Sequence, residues 1–313
     1  MAHPRLFRFG VQGRSLGPHQ EWLAMLRRAE GFGFTSYLAL DHFVRGFDTV
    51  ASLAAAAMVT NMRVGSFVFD NDFRHPALTA KAAATIDVLS DGRFELGIGA
   101  GWLKEEYDQT GIPFEPASVR IAKLAEAIRL IKTIFTEEHP VSFSGEHYTV
   151  TDLICTPKPI SRPDRPHPPF IVGGGSQKIL TLAGKEADIV GITTRARPDG
   201  LKDDQDLTAA ATERKIGWVR DAAGNRFADI EFNMMVNDIV ITSERGATAD
   251  RLAGQYGLTR DDILDSPLML IGTVDEMVAA LEERRERYGF SYICATEPNM
   301  TALAPVVARL AGR

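Results

Sequence analysis

Two adjacent residues, Asp41 and His42, carry the sharpest chemical signal in the chain. They end the apolar run "TSYLALDHF", which places them where a strand stops. An imidazole titrates near neutrality and moves protons, and a nearby carboxylate tunes that transfer. The same two residues also read as a helix-capping aspartate beside a hydrogen-bonded surface histidine. On residue type alone both readings stand, and Asp41 and His42 are the acid/base candidates.

The second signal is "PFIVGGGSQK", residues 169–178, where an apolar run meets three glycines, a serine and a helical pattern. Glycines let backbone approach a ligand, and a helix start points N–H groups and a positive dipole end at an anion. The spacing is neither the GxxxxGK[ST] of a P-loop nor the GxGxxG of a dinucleotide site. Gly173, Gly174, Gly175, Ser176 and Gln177 therefore form a candidate phosphate cradle, with Thr193, Thr194 and Arg195 as further donors. The plainer reading is a tight turn with Ser176 capping the helix.

Other chemistries lack their residues. The seven histidines form no HExxH, HxH or Cys/His cluster, and no metal site is expected. No GxSxG elbow occurs. Glu105 and Glu106 could act as acids or bases, although adjacent glutamates usually form a solvated face. His75, just before Pro76, reads as a cap or packing residue.

The elements that must position these residues alternate regularly. Short β-type runs occur at 6–12, 35–41, 62–69, 93–99, 168–174, 187–193, 229–242 and 290–296. Longer helical runs lie between consecutive strands, and a helix closes the chain. The clearest, 116–137, sets Ile121, Leu124, Ile128, Ile131 and Phe135 at spacings of three or four. Eight β/α units predict a (β/α)8 TIM barrel with insertions, as one domain over 1–313; a doubly wound open sheet is the second choice. Residues 138–168 break the rhythm as an insertion: a hairpin around Ser144 and Gly145, then an extended run with Pro157, Pro159, Pro163, Pro166 and Pro168. In a barrel, function sits where strands end. Gln12 after strand one joins the candidates on that ground.

Composition agrees with a soluble enzyme: 45% hydrophobic and 24% charged. A net charge of −6 argues against nucleic acid or an anionic membrane as partner. Two cysteines, Cys155 and Cys294, are too few for a disulfide scaffold. "MAHPRLFRFG" has no apolar signal core, and "VASLAAAAMV" is too short to span a bilayer, so a cytoplasmic protein is expected.

In order and spacing, "ALDHF", "RVGSFVFDNDFRHPALTAKAAATIDVLSDGRFELGIGAGWLKEEYDQTGIPF" and "PFIVGGGSQKIL" resemble the bacterial-luciferase-like superfamily of flavin and deazaflavin enzymes. Within it, the chain is most similar to the branch that uses coenzyme F420. The resemblance implies a non-proline cis peptide within Ser66, Phe67 and Val68, pressing on a cofactor ring. It implies that Gly173 to Gln177, with Thr193 and Thr194, grip a cofactor phosphate. It implies that Asp41 and His42 flank the ring, and that a homodimer forms. The implied reaction moves a hydride between the deazaflavin C5 and a small organic substrate, with His42 handling the proton.

One departure narrows the substrate. Where sugar-phosphate dehydrogenases of this branch place a glutamate after the strand-four G-x-G, this chain has Trp102. Trp102 suggests an apolar pocket wall, with Glu105 or Glu106 as the substitute acid; Gln12, Trp102 and Glu106 are the substrate-pocket candidates. The alternative function is an FMN-dependent monooxygenase using reduced flavin and oxygen. A non-catalytic flavin-binding relative and a metal-dependent hydrolase are disfavoured by the histidine and by the missing ligand pattern.

Overall fold

The structure is a computed structural model and describes residues 5–14, 16–160, 162, 164–197 and 201–313. Pro163, named above in the extended run, lies outside the described residues. Eight parallel strands close into a barrel: β1 (Arg8–Gly13), β2 (Ser36–Ala39), β3 (Arg63–Ser66), β4 (Phe94–Gly99), β5 (Phe170–Gly174), β6 (Ile189–Ile192), β7 (Glu231–Met235) and β8 (Phe290–Thr296). Neighbours run β3-β2-β1-β8-β7-β6-β5-β4, and β4 pairs back onto β3 through Val64↔Phe94 and Gly65↔Glu95. The open-sheet alternative is thereby excluded.

The strands read as nearly continuous apolar runs because both of their faces are covered. Outside, helices such as Ala117–Thr136 press Leu124, Ile128, Ile131 and Phe135 against them. Inside, Leu38, Ile171, Ile189, Tyr292 and Cys294 pack together.

The N-terminal end of the barrel is plugged by charge. Glu95 is 1% exposed and receives Arg8 at 2.7 Å and Arg63 at 2.6 Å, while the Tyr292 hydroxyl donates to its other oxygen at 3.1 Å. Arg8 also forks onto Glu231 at 2.8 and 2.7 Å. Desolvation raises the cost of the Glu95 charge, yet Arg8 and Arg63 hold its carboxyl below the usual range. Since this end is closed, chemistry is confined to the opposite mouth.

Two expectations change. The seventh run, expected as one strand over 229–242, breaks after Met235. Its second half, Asp238–Ile241, leaves the barrel and pairs in parallel with Met269–Gly272, a strand the periodicity did not reveal. Val236 and Asn237 turn the chain, donating their N–H groups to Cys294 and Leu268 carbonyls. The hairpin does form, as Val141–Ser144 against Thr149–Leu153. Buried Glu126 holds its turn, accepting the N–H groups of Glu146, His147 and Tyr148 at 2.6–3.2 Å.

Candidate active site

The chain leaving β2 alternates its side chains between two environments. Asp41 turns into the wall. Its carboxylate takes a two-pronged bond from Arg74 (2.5 and 3.0 Å), the Thr49 hydroxyl (2.9 Å) and the Asp70 N–H (2.8 Å). All its acceptor capacity goes to holding the loops after β2 and β3 together, and no bond to His42 forms.

His42 turns the other way and meets Glu106. Its Nδ1 lies 2.7 Å from Glu106 Oε2, and the side chains are 15% and 1% exposed. The other Glu106 oxygen accepts the Phe43 N–H at 2.8 Å and the Val44 N–H at 3.3 Å. A carboxylate can only accept, so Nδ1 is the donor of this bond, and Nε2 takes no part in it. Trp102 stands edge-on to the imidazole, with centroids 5.9 Å apart at 87°.

Glu106 sits on a short helix, Lys104–Thr110, fixed on its far side. The Tyr107 hydroxyl donates to both Asp70 oxygens, at 3.0 and 2.9 Å. Burial raises the Asp70 carboxyl to about 7, against the stabilising bonds from the Asp72 N–H and Tyr107. Arg120 reaches from helix Ala117–Thr136 to the carbonyls of Ala100 (2.7 Å) and Gly101, clamping the loop that presents Trp102.

After β3 the peptide between Phe67 and Val68 is cis, within the three residues where the resemblance places it. Glycines on β4 make room for this bulge. A Cβ on Gly97 would stand 2.0 Å from the Ser66 carbonyl oxygen, and one on Gly99 would stand 2.7 Å from Val68. The Ser66 hydroxyl donates to the Gly97 carbonyl at 2.7 Å and accepts its N–H at 2.9 Å, tying the bulge to β4.

The glycine loop lies at the ends of β5 and β6, where Gly173 pairs with Gly191 and Gly174 with Ile192. A Cβ on Gly175 would stand 2.3 Å from the Arg195 nitrogen, so this turn admits only glycine. Ser176 begins helix Gln177–Glu186 without capping it by its side chain. The first N–H groups of that helix keep no intrahelical partner. Thr193 donates its N–H to the Gly174 carbonyl at 3.2 Å. Thr194 is 4% exposed, and its hydroxyl has no hydrogen-bond partner among the described residues. Behind the loop, buried Lys215 binds Asp206 at 2.6 Å and the Thr193 carbonyl at 2.8 Å.

Around the barrel, β5 is three strands from β2, with β3 and β4 between. The cradle and His42 therefore stand on different sides of one mouth, separated by the Ser66–Val68 bulge. Gln12, next to the last residue of β1, accepts the Arg14 guanidinium at 3.2 and 3.3 Å. Of the residues singled out in the sequence, His42 touches both Glu106 and Trp102, whereas Asp41 is turned away. Asp70 and Arg74 stand at the end of the third strand run, where function was expected, but with no role attached, and Tyr107, Arg120 and the Lys215–Asp206 pair were not among the candidates. A buried-phase lysine beside Ile216 and Val219 was the one legible hint among them.

The luciferase-like monooxygenase family profile matches residues 5–256. An F420-dependent glucose-6-phosphate dehydrogenase of Amycolatopsis mediterranei is 33% identical over 170 residues, covering 51% of this chain and 49% of that protein. An FMNH(2)-dependent dimethylsulfone monooxygenase of Pseudomonas putida is 31% identical over 167 residues, covering 51% of this chain and 45% of that protein. The chain spans about half the length of these curated relatives. An F420-dependent secondary alcohol dehydrogenase, solved with an F420-acetone adduct, shares the fold at TM-score 0.73 and 19% identity, over 96% of this chain and 97% of that one. The profile match covers most of the chain and agrees with the barrel, so the chain belongs to the luciferase-like monooxygenase family.

Proposed function

We propose that this protein is a coenzyme F420-dependent oxidoreductase acting on a small organic substrate. The observation that carries the reading is the His42–Glu106 pair, in which the carboxylate engages Nδ1 at 2.7 Å and leaves Nε2 outside that bond. The relatives matched over half of the chain support the cofactor class.

The cradle suits a phosphate-bearing cofactor. Gly175 permits close approach, the helix start after Ser176 keeps free N–H donors, and the Thr194 hydroxyl has no partner among the described residues. Gly173, Gly174, Gln177 and Thr193 complete the set that would hold it, and Ser66, Phe67 and Val68 would back its ring. Bound there, a deazaflavin supplies hydride chemistry at C5.

The chain's own residues then handle the proton. Nε2 takes it from the substrate oxygen when hydride leaves the neighbouring carbon, or returns it in the reverse direction. Glu106 holds Nδ1–H and stabilises the imidazolium formed in that step, as the third member of a triad does. Trp102 and Gln12 wall the pocket, and Asp41 positions the loops through Arg74.

The second reading, an FMN-dependent monooxygenase, is favoured by the Pseudomonas relative, matched over an equal share of the chain. The proton role is tested by following F420 absorbance against a panel of alcohols and aldehydes. His42→Ala is expected to slow turnover by about 10²-fold or more. Unchanged turnover would remove the histidine from the reaction.

A further inference from the structure

Each member of the proton pair has a neighbour in sequence that turns to the wall. Asp41 precedes His42, and Tyr107 follows Glu106. Both neighbours reach one residue. The Asp41 carboxylate accepts the Asp70 N–H at 2.8 Å, and the Tyr107 hydroxyl donates to the Asp70 oxygens at 3.0 and 2.9 Å. With His42 Nδ1 2.7 Å from Glu106, a circuit closes through His42, Glu106, Tyr107, Asp70 and Asp41. The loops after β2 and β4 are thus joined twice, directly through the pair and indirectly through Asp70.

The indirect path is anchored in the barrel. Asp70 lies on a two-residue strand, Phe69–Asp70, that pairs in parallel with Ile98 and Gly99 at the end of β4. Tyr107 is fully buried, its ring against Phe73 and Phe114 at centroid distances of 5.4 and 4.8 Å. Gly101, in the left-handed region at φ +69°, leaves the space for the bond. A Cβ there would collide with the Tyr107 hydroxyl and stand 2.5 Å from an Asp70 oxygen.

The helix that carries Glu106 needs that anchor. Lys104–Thr110 has seven residues and no side-chain cap at its start, and so short a helix does not hold its shape alone. The Asp70 carboxylate, for its part, is buried at a cost. No cation bonds to it among the described residues: Arg74 is spent on Asp41, Lys123 lies 2.6 Å from Glu115, and Arg120 binds the Ala100 and Gly101 carbonyls. Its hydrogen-bond donors are the Tyr107 hydroxyl and, at 3.0 Å, the Asp72 N–H.

We propose that Asp70 is a positioning residue of the active site. Through Tyr107 it sets the place of Glu106, and through Asp41 that of His42, with no bond to either member of the pair. The proposal rests on the His42–Glu106 pair being the proton relay, but its first readout needs neither cofactor nor turnover.

That readout is the tautomer of neutral His42, from long-range 1H–15N NMR of the whole cofactor-free protein. Tyr107→Phe keeps the ring and its contacts and removes only the hydroxyl. A displaced Glu106 is expected to lower the ratio of Nδ1–H to Nε2–H by about threefold or more, part of the roughly tenfold that a bond to a carboxylate supplies. With F420 bound, kcat is expected to fall by about tenfold or more, while cofactor Kd stays within about twofold. Asp70→Ala, which removes the acceptor, is expected to repeat both losses. Asp70→Asn keeps an oxygen for the hydroxyl and is expected to retain wild-type values. In Glu106→Gln, where the pair is already broken, adding Tyr107→Phe is expected to cost kcat less than about twofold more. A full additional loss there would mark a role in folding alone and overturn the proposal. So would a wild-type tautomer ratio in Tyr107→Phe or Asp70→Ala, each shown folded by circular dichroism, or a loss in Asp70→Asn equal to that in Asp70→Ala. Absence of F420 binding refutes the proposed cofactor use and leaves the tautomer comparison to decide the role of Asp70.

Discussion

Glu106→Gln isolates the proposed proton relay with little change of shape. In the wild-type protein one Glu106 oxygen takes Nδ1–H of His42 at 2.7 Å while the other takes the Phe43 and Val44 N–H groups. A glutamine can satisfy Phe43 and Val44 through its amide oxygen. Its NH2 then faces Nδ1, which must accept rather than donate. The imidazole is pushed to the opposite tautomer, with the proton on Nε2. A hydrogen bond to a charged group contributes about 1.5–3 kcal/mol, which biases the tautomer roughly 10- to 150-fold. Long-range 1H–15N NMR at a pH where the ring is neutral reads this directly. Nδ1–H is expected in the wild-type protein and Nε2–H in Glu106→Gln. With the base blocked, kcat is expected to fall by about 10²–10⁴-fold, with cofactor affinity little changed. The same tautomer in both proteins, or a loss confined to cofactor binding, would refute the reasoning.

Two further outcomes follow from buried groups. Thr194→Val removes a buried hydroxyl that has no partner among the described residues. Stability without cofactor is expected to hold or rise by up to about 1 kcal/mol, while affinity for a phosphate-bearing cofactor falls, as denaturant melts and fluorescence titration would record. Asp70 is raised to about 7 in the folded protein by burial, above its ordinary 3.8. The folded state therefore binds the proton more tightly than the unfolded chain, and stability falls as pH rises from about 4 through 7. The loss is at most on the order of 4 kcal/mol, and Asp70→Asn is expected to flatten it in melts across that window.

Much of this was legible in the chain. Strand and helix runs alternate with distinct periods, so the barrel followed from counting, and the glycines of residues 173–175 stood out because their chemistry is local. The seventh strand was overextended because "NMMVNDIVIT" stays apolar through Val236, and only contacts with Cys294 and Leu268 show where it leaves the sheet. The Asp41–His42 pair misled for a related reason: neighbours on an extended chain point to opposite sides, so adjacency in sequence argues against a shared face. Glu106 is brought to His42 by the barrel from 64 positions away. The supports of Trp102 and Glu106, namely Arg120, Tyr107 and Asp70, are joined only by tertiary packing, for which a single sequence carries no local pattern.

The central claim is the cofactor, and a paired titration tests it most directly. Purified protein is mixed with F420 and, separately, with FMN, and binding is followed by absorbance and fluorescence. The account predicts saturable F420 binding at least roughly tenfold tighter than FMN, a difference of about 1.4 kcal/mol. Submicromolar FMN binding with no F420 binding would contradict it.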